Sequence, residues 1–291
     1  MSTIAIVTDS TAGLTDAFAR DNGILVVPLY IRIDGENYRD GVDITPTAFY
    51  ERLPRCTTLP TTSQPSVGDF VETYRQAIAG GAQGIITVHI SSGISGTVNS
   101  ARLAAEQSPE VPIEIVDTLC TSAALQMTVE AVSNALRRGA DLQQARAVAD
   151  QSVARQKMVF TVDTLEYLYK GGRIGGAAAL FGSLLQFKPL LHFSEGKIDA
   201  LERVRQSSRA MRRMIEIMES WLPEGEPVKA ILMEAACPDR AEALFALLRA
   251  SRVQMVEHQI VPLSPVIGAH AGNGTLGLCC FPMSLLQGEI S

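Results

Sequence analysis

Ile4-Ala5-Ile6-Val7-Thr8-Asp9-Ser10-Thr11 is an apolar, largely β-branched run that breaks abruptly into an aspartate and small hydroxyl residues. A segment of helical amphipathicity follows over 15–22, so the stretch reads as buried strand, polar turn and helix. Working outward, 24–27 and 30–33 are further strand candidates, the second followed by Asp34-Gly35, a hairpin-turn pair. A helix is expected over 66–79, closed by Gly80-Gly81, and 84–90 is a β-branched run suited to a buried parallel strand. A helix near 96–107, a strand at 113–117 and helices near 121–137 and 142–155 continue the alternation. Strands alternating with helices predict an α/β fold, a parallel sheet covered on both faces.

After Gln156 the texture changes. A strand at 157–162 precedes a stretch rich in Gly and Ala over 171–182, and 189–193 and 197–204 read as a hairpin around Glu195-Gly196. A helix at 207–221, a strand at 228–234, a helix at 240–250 and strands at 253–261 and 275–281 complete the pattern, which is that of an α+β unit. Two tightly joined domains, 1–156 and 157–291, are therefore expected, with a cleft between them.

The 31 acidic and 25 basic residues give a net charge of −6, which argues against a general affinity for nucleic acid or anionic lipid. Charged residues are only 19% of the 291 and hydrophobic ones 46%, so the chain is apolar for an acidic protein. The longest apolar stretch, 177–193, is interrupted by Gly182, Gln186 and Lys188 and falls short of the ~20 residues a bilayer span needs. No stable membrane insertion is expected. The surplus must lie in the core or around something the protein holds. No basic leader precedes the first strand, and Cys56, Cys120, Cys237, Cys279 and Cys280 show no metal-binding spacing. Both features predict a reduced, cytoplasmic protein without a metal site.

Small hydroxyl residues cluster in three predicted loops: Thr8-Asp9-Ser10-Thr11, Thr61-Thr62-Ser63-Gln64-Pro65-Ser66 and Ser91-Ser92-Gly93-Ile94-Ser95-Gly96-Thr97. Such residues mostly cap helices and form turns. Two of the clusters, however, directly follow predicted parallel strands, where open α/β sheets bind ligands and helix N-termini offer N–H groups to anions. His270 lies in Gly268-Ala269-His270-Ala271-Gly272-Asn273-Gly274, read as a loop, whereas His89 sits inside an apolar strand and reads as a core histidine. Lys170-Gly171-Gly172-Arg173-Ile174-Gly175-Gly176 has neither Walker A nor dinucleotide-fingerprint spacing, and leaves Arg173 as a cation suited to an anion or a carbonyl-rich helix end. Ala177, Leu180, Phe181, Leu184, Leu185 and Phe187 recur at helical spacing, as core or as the wall of a lipid tunnel. Arg203, Arg205, Arg209, Arg212 and Arg213 form a basic run, a solvated helix face or a docking surface for an acidic partner.

Taken together, these segments resemble the DegV family of bacterial fatty-acid-binding proteins, the acyl-carrying subunits of fatty-acid kinase. The matching pieces are Ile6-Val7-Thr8-Asp9-Ser10-Thr11, Val27-Pro28-Leu29, the Thr61 to Ser66 and Ser91 to Thr97 clusters, Asp163-Thr164-Leu165-Glu166-Tyr167-Leu168, Gly171-Gly172-Arg173-Ile174, Lys188-Pro189-Leu190-Leu191 and Ile267-Gly268-Ala269-His270-Ala271-Gly272. The sequence departs from the family pattern at Val98, where an aromatic is common, and at Asn273, where proline is usual.

The resemblance implies a Rossmann-like first domain, a smaller α+β second domain and one buried long-chain fatty acid as ligand, with no cofactor. Thr62 and Ser95 would hydrogen-bond the carboxyl group, Ser63 and Gly96 would adjoin it, and Arg173 and His270 would stand close to it. Leu180, Phe181, Leu184 and Phe187 are the tunnel candidates. The partner it implies is the catalytic subunit of a fatty-acid kinase, which would phosphorylate the presented carboxyl, with His270 orienting or assisting. The competing expectation is a serine acyl hydrolase with Ser95 as nucleophile, His270 as base and Asp9 or another carboxylate behind it. Thr97 stands where the second glycine of a Gly-x-Ser-x-Gly elbow would be.

Overall fold

The computed structural model describes residues 3–180 and 187–287. Its thirteen described strands are β1 (Ile4–Asp9), β2 (Ile24–Val27), β3 (Tyr30–Ile33), β4 (Glu36–Arg39), β5 (Thr61–Ser63), β6 (Gly84–His89), β7 (Ile113–Asp117), β8 (Lys157–Thr161), β9 (Lys188–Ser194), β10 (Lys197–Val204), β11 (Val228–Glu234), β12 (Met255–Pro262) and β13 (Leu276–Pro282).

Period-two alternation along β1 and β6 builds the first layer. Ile6, Ile86 and Val88 point to one face and pack on Leu125, Val129 and Ala145 of the helices Ala123–Arg137 and Leu142–Arg155. Val7 and Ile85 point to the other, onto Phe70, Tyr74 and Ala101 of the helices Val67–Ala79 and Thr97–Glu106. The result is a parallel sheet of order β2-β1-β6-β7 between two pairs of helices, a mixed α/β fold. β6 is buried at every residue, as a central parallel strand requires.

A six-stranded sheet of order β10-β9-β8-β13-β11-β12 follows, antiparallel except for the β11–β12 pair. Met214, Ile217 and Met218 of the helix Ser207–Trp221 and Leu244 and Leu248 of the helix Pro238–Arg249 cover one face. Met158, Ile231, Cys279 and Phe281 belong to a single apolar cluster with Ala124, Met127 and Ala131 of the helix Ala123–Arg137. That cluster joins the two halves. Beside it, the ammonium of Lys229, only 4% exposed, donates to both carboxylate oxygens of Glu130 at 2.8 Å.

A small antiparallel sheet, β4-β3-β5, was only partly legible. Thr61–Ser63, expected as a loop, is a three-residue strand on β3, too short to carry a period and specified by a partner some 30 residues away. The helix Pro46–Arg52 was not anticipated. His270, expected in a glycine-permitted loop, stands in the last turn of the helix Pro265–Ala271, which Ser264 caps by accepting from Ile267 N–H. Gly268 is there for close packing, since a Cβ at that position would lie 2.5 Å from the Tyr50 hydroxyl.

Two buried acids fix the loops after these strands. Asp9 accepts from Ile90 N–H at 2.9 Å and from Thr11 N–H, and bonds His89 Nδ1 at 3.0 Å, while His89 Nε2 bonds Thr87. His89 is thus a hydrogen-bonded core histidine. Asp40, 2% exposed, accepts from Ser10 Oγ at 2.8 Å, and Ser10 Oγ in turn accepts from Leu29 N–H. Burial pushes the Asp40 carboxyl up to about 6, against partial stabilisation of the anion by Ser10, Val266 N–H and Ser264.

Because the native state holds Asp40 above its ordinary 3.8, ionising it destabilises the fold as pH rises from about 4 to about 6. Asp40→Asn should therefore gain stability relative to the parent over that window, by on the order of 2–3 kcal/mol at pH 7. Urea unfolding across pH 4–8 checks it: parallel curves for the two proteins would contradict the assignment.

Candidate functional site

The loop after β6 is clamped to the β9–β10 turn. Ser91 Oγ donates to Gly196 C=O at 2.7 Å, and a Cβ on Gly93 would lie 2.4 Å from that same oxygen, so only glycine fits the approach. Ser95 N–H donates to Ser91 C=O at 3.1 Å, and its hydroxyl pairs with Thr97 Oγ1 at 2.8 Å. Gly96 packs against the Gln64 amide, where a Cβ would come within 2.8 Å.

β5 brings Thr62 to the helix that carries His270, and Thr62 Oγ1 meets His270 Nε2 at 2.6 Å across 208 residues of sequence. Burial, reinforced by the nearby Arg173 guanidinium, pushes His270 down to about 4, so it is neutral at pH 7. Its Nδ1 is buried, has no partner among the described residues and lies against Gly171, whose Cβ would stand 2.3 Å away. An unpaired acceptor is a smaller loss than an unpaired N–H, which favours the proton on Nε2. Nε2–H then donates to Thr62 Oγ1, and the threonine hydroxyl is free to donate to a ligand.

Arg173 is spent partly on the backbone, donating from Nε to Ile94 C=O at 3.0 Å and from Nη1 to Gly171 C=O at 2.7 Å. Its fixed guanidinium therefore holds two loops together and keeps a positive charge beside Thr62 and His270.

Thr62, Ser63, Ser95, Arg173 and His270 all line one cavity whose walls are mainly apolar, with Leu29, Ile94, Met158, Phe160 and Phe193 among them. Mainly apolar walls with a few convergent polar groups are the pattern of small-molecule sites. Thr62, Arg173 and His270 also line a second, outer cleft with Tyr167 and the exposed Lys170. The three residues thus form a polar partition between the apolar cavity and the outer cleft.

Several sequence expectations fall elsewhere. Leu180 packs beside Ile174 and Ala177, and Phe187 lies under the guanidinium groups of Arg203 and Arg205; neither is among the described residues lining the cavity. Phe181 and Leu184 lie outside the described residues. The walls come instead from β8, β9, the helix Pro265–Ala271 and the β6 loop, positions whose apolar residues look like any core residues in sequence. The hydrolase constellation is not assembled among the described residues, because His270 bonds Thr62, Ser95 bonds Thr97, Asp9 bonds His89, and none of these residues orients His270 Nδ1. In the basic run, Arg213 pairs with Glu202 and Glu216, whereas Arg205, Arg209 and Arg212 are exposed. Among the described residues no group of three or more His, Cys, Asp or Glu side chains is arranged to hold a metal.

The family model described as an uncharacterised protein of the DegV family matches residues 3–283. A DegV domain-containing protein of Streptomyces coelicolor is 38% identical over 275 residues, 94% of this chain and 97% of that protein. Among solved structures, a fatty-acid-binding DegV family protein from Thermus thermophilus superposes with a TM-score of 0.91 at 36% identity, covering 96% of this chain and 99% of that one. A stearic-acid-binding protein from Eubacterium ventriosum gives a TM-score of 0.84 at 26% identity, with 99% of each chain covered. Family model, relatives and fold agree from end to end, and the chain belongs to the DegV family.

Proposed function

We propose that the protein binds one long-chain fatty acid, with the tail in the apolar cavity and the carboxyl group at Thr62, Ser63, Ser95, Gly96, Arg173 and His270. We further propose that it presents this carboxyl to a separate ATP-dependent kinase, which forms the acyl phosphate. The observation that carries the reading is the cavity itself, whose mainly apolar walls end in a hydroxyl and a neutral imidazole. Burying each CH₂ contributes ~0.8 kcal/mol, so the tail supplies affinity and the head supplies orientation. Hydroxyl donors receive the carboxylate without leaving a charged partner unpaired in the empty state.

The outer cleft supports presentation to a partner, since Thr62, Arg173 and His270 stand between it and the cavity. By this reading the chain is a substrate-presenting subunit in the cytoplasm and needs no nucleotide site or cofactor of its own. Its two domains divide at 156/157, with a Rossmann-like first domain and a smaller α+β second domain. Arg205, Arg209 and Arg212 are the docking surface for the kinase, whose complementary face would be acidic. No helix among the described residues is long and apolar enough to cross a membrane, which fits a carrier that holds the lipid inside itself.

Protein purified from bacterial cells should yield a fatty acid on organic extraction and mass spectrometry. Absence of extractable lipid, together with no binding of added palmitic acid, would refute the carrier. Thr62→Val and Ser95→Ala should each weaken palmitate binding by about three- to tenfold and slow acyl phosphate formation with the kinase, through loss of one hydrogen bond to the carboxylate. Unchanged affinity and rate in both would remove them from the head-group site.

Native His270 sits near 4, below its ordinary 6.5, so the stability it confers is complete above pH 6.5 and is lost as pH falls towards 4. His270→Gln should remove up to about 3 kcal/mol of acid sensitivity over that window. Unfolding of the lipid-stripped proteins at pH 4.5 and 7.5 measures the difference, and an equal loss in both would show that His270 is not its source.

A further inference from the structure

The loop after β7 reaches the same cavity and has no part in the head-group site. It leads into the 15-residue helix Ala123–Arg137, and its last two residues, Thr121 and Ser122, line the apolar cavity but not the outer cleft. Both are more than nine-tenths buried, at 5% and 8% exposed. Among the described residues Thr121 Oγ1 has no hydrogen-bond partner. Ser122 stands at the N-cap position without making a cap bond.

The backbone at Ser122 is held at φ 53°, ψ −128°, a conformation that a residue with a side chain rarely adopts. Among the described residues the first backbone bond of the helix runs from Gln126 N–H to Ser122 C=O at 2.8 Å. Two hydroxyls thus offer hydrogen-bond donors on a mainly apolar cavity wall. A plain acyl chain has no acceptor to give them, and an unpaired buried donor is unfavourable.

We infer that Thr121 and Ser122 form an oxygen-recognition subsite inside the acyl cavity, which takes a hydroxyl or keto oxygen carried on the fatty acid chain. The inference rests on the fatty-acid reading above and names the substrate class within it. A neutral oxygen fits better than a second carboxylate, because the cavity's arginine, Arg173, is held at the partition by Ile94 and Gly171. Ser91 N–H donates to Cys120 C=O at 2.8 Å, which sets the loop bearing Ser122 beside the loop bearing Ser95. The oxygen is therefore placed near the carboxyl end of the chain, as in 2- or 3-hydroxy acids, and not at its far tip.

The test is calorimetric or displacement titration of the lipid-stripped, full-length protein with palmitic, 2-hydroxypalmitic, 3-hydroxypalmitic and 16-hydroxypalmitic acids. One of the first two hydroxy acids should bind about three- to tenfold more tightly than palmitic acid, one added hydrogen bond's worth, and the 16-hydroxy acid should not. Thr121→Val and Ser122→Ala should each reduce that advantage and together abolish it, with palmitate affinity kept within about twofold. Thr121→Val should also raise the melting temperature of the stripped protein, because it removes an unpaired hydroxyl at nearly constant volume. Equal affinity for all four acids, or a preference that survives both substitutions, would overturn the subsite while leaving the carrier intact. Failure of palmitic acid to bind at all would overturn the fatty-acid reading, and the subsite with it.

Discussion

A carboxylate brought to the edge of an apolar cavity must be met by donors that are themselves stable when no ligand is there. The Thr62–His270 contact meets that condition. A protonated imidazole in this position would be a buried charge beside Arg173, and the environment drives it neutral instead. The hydroxyl then takes direction from the imidazole and passes it outward. Much of the surrounding structure serves this pair: β5 is paired onto β3 to bring Thr62 in, Ser264 caps the helix that ends at His270, and Gly171 withdraws its side chain from Nδ1. Phe49 and Tyr50 press that helix from behind, with the Tyr50 hydroxyl donating to Leu263 C=O at 3.1 Å.

The layers were legible where packing repeats at short range. β1, β6 and β7 show their alternating or continuous apolar patterns within five or six residues, and the helices of both halves carry periods of three and four. The β9–β10 hairpin announced itself through Glu195-Gly196, both of which adopt positive φ. What escaped was specified from far away. Three residues of β5 have no period, and the seven-residue helix Pro265–Ala271 contains a glycine that reads as a turn until Tyr50 is seen against it.

The site divides along the same line. Hydroxyl clusters after strands, a GGRI segment and a histidine among small residues marked the polar partition, because polar residues in an apolar chain stand out. The cavity wall did not stand out, since Met158, Phe160 and Phe193 are indistinguishable in sequence from residues that fill a core. Thr121 and Ser122 were hidden differently. At the mouth of a predicted helix, Ser and Thr read as caps, and only the missing cap bond separates them from that ordinary role.

Because Thr62 and His270 are 208 residues apart, the polar end of the cavity does not exist until almost the whole chain has folded. Any ligand that needs both ends of this contact binds only the finished molecule, and mass action then adds its binding free energy to that of the fold. A loaded chain would outlast an empty one wherever proteases sample transient opening, so abundance itself would report supply of the ligand.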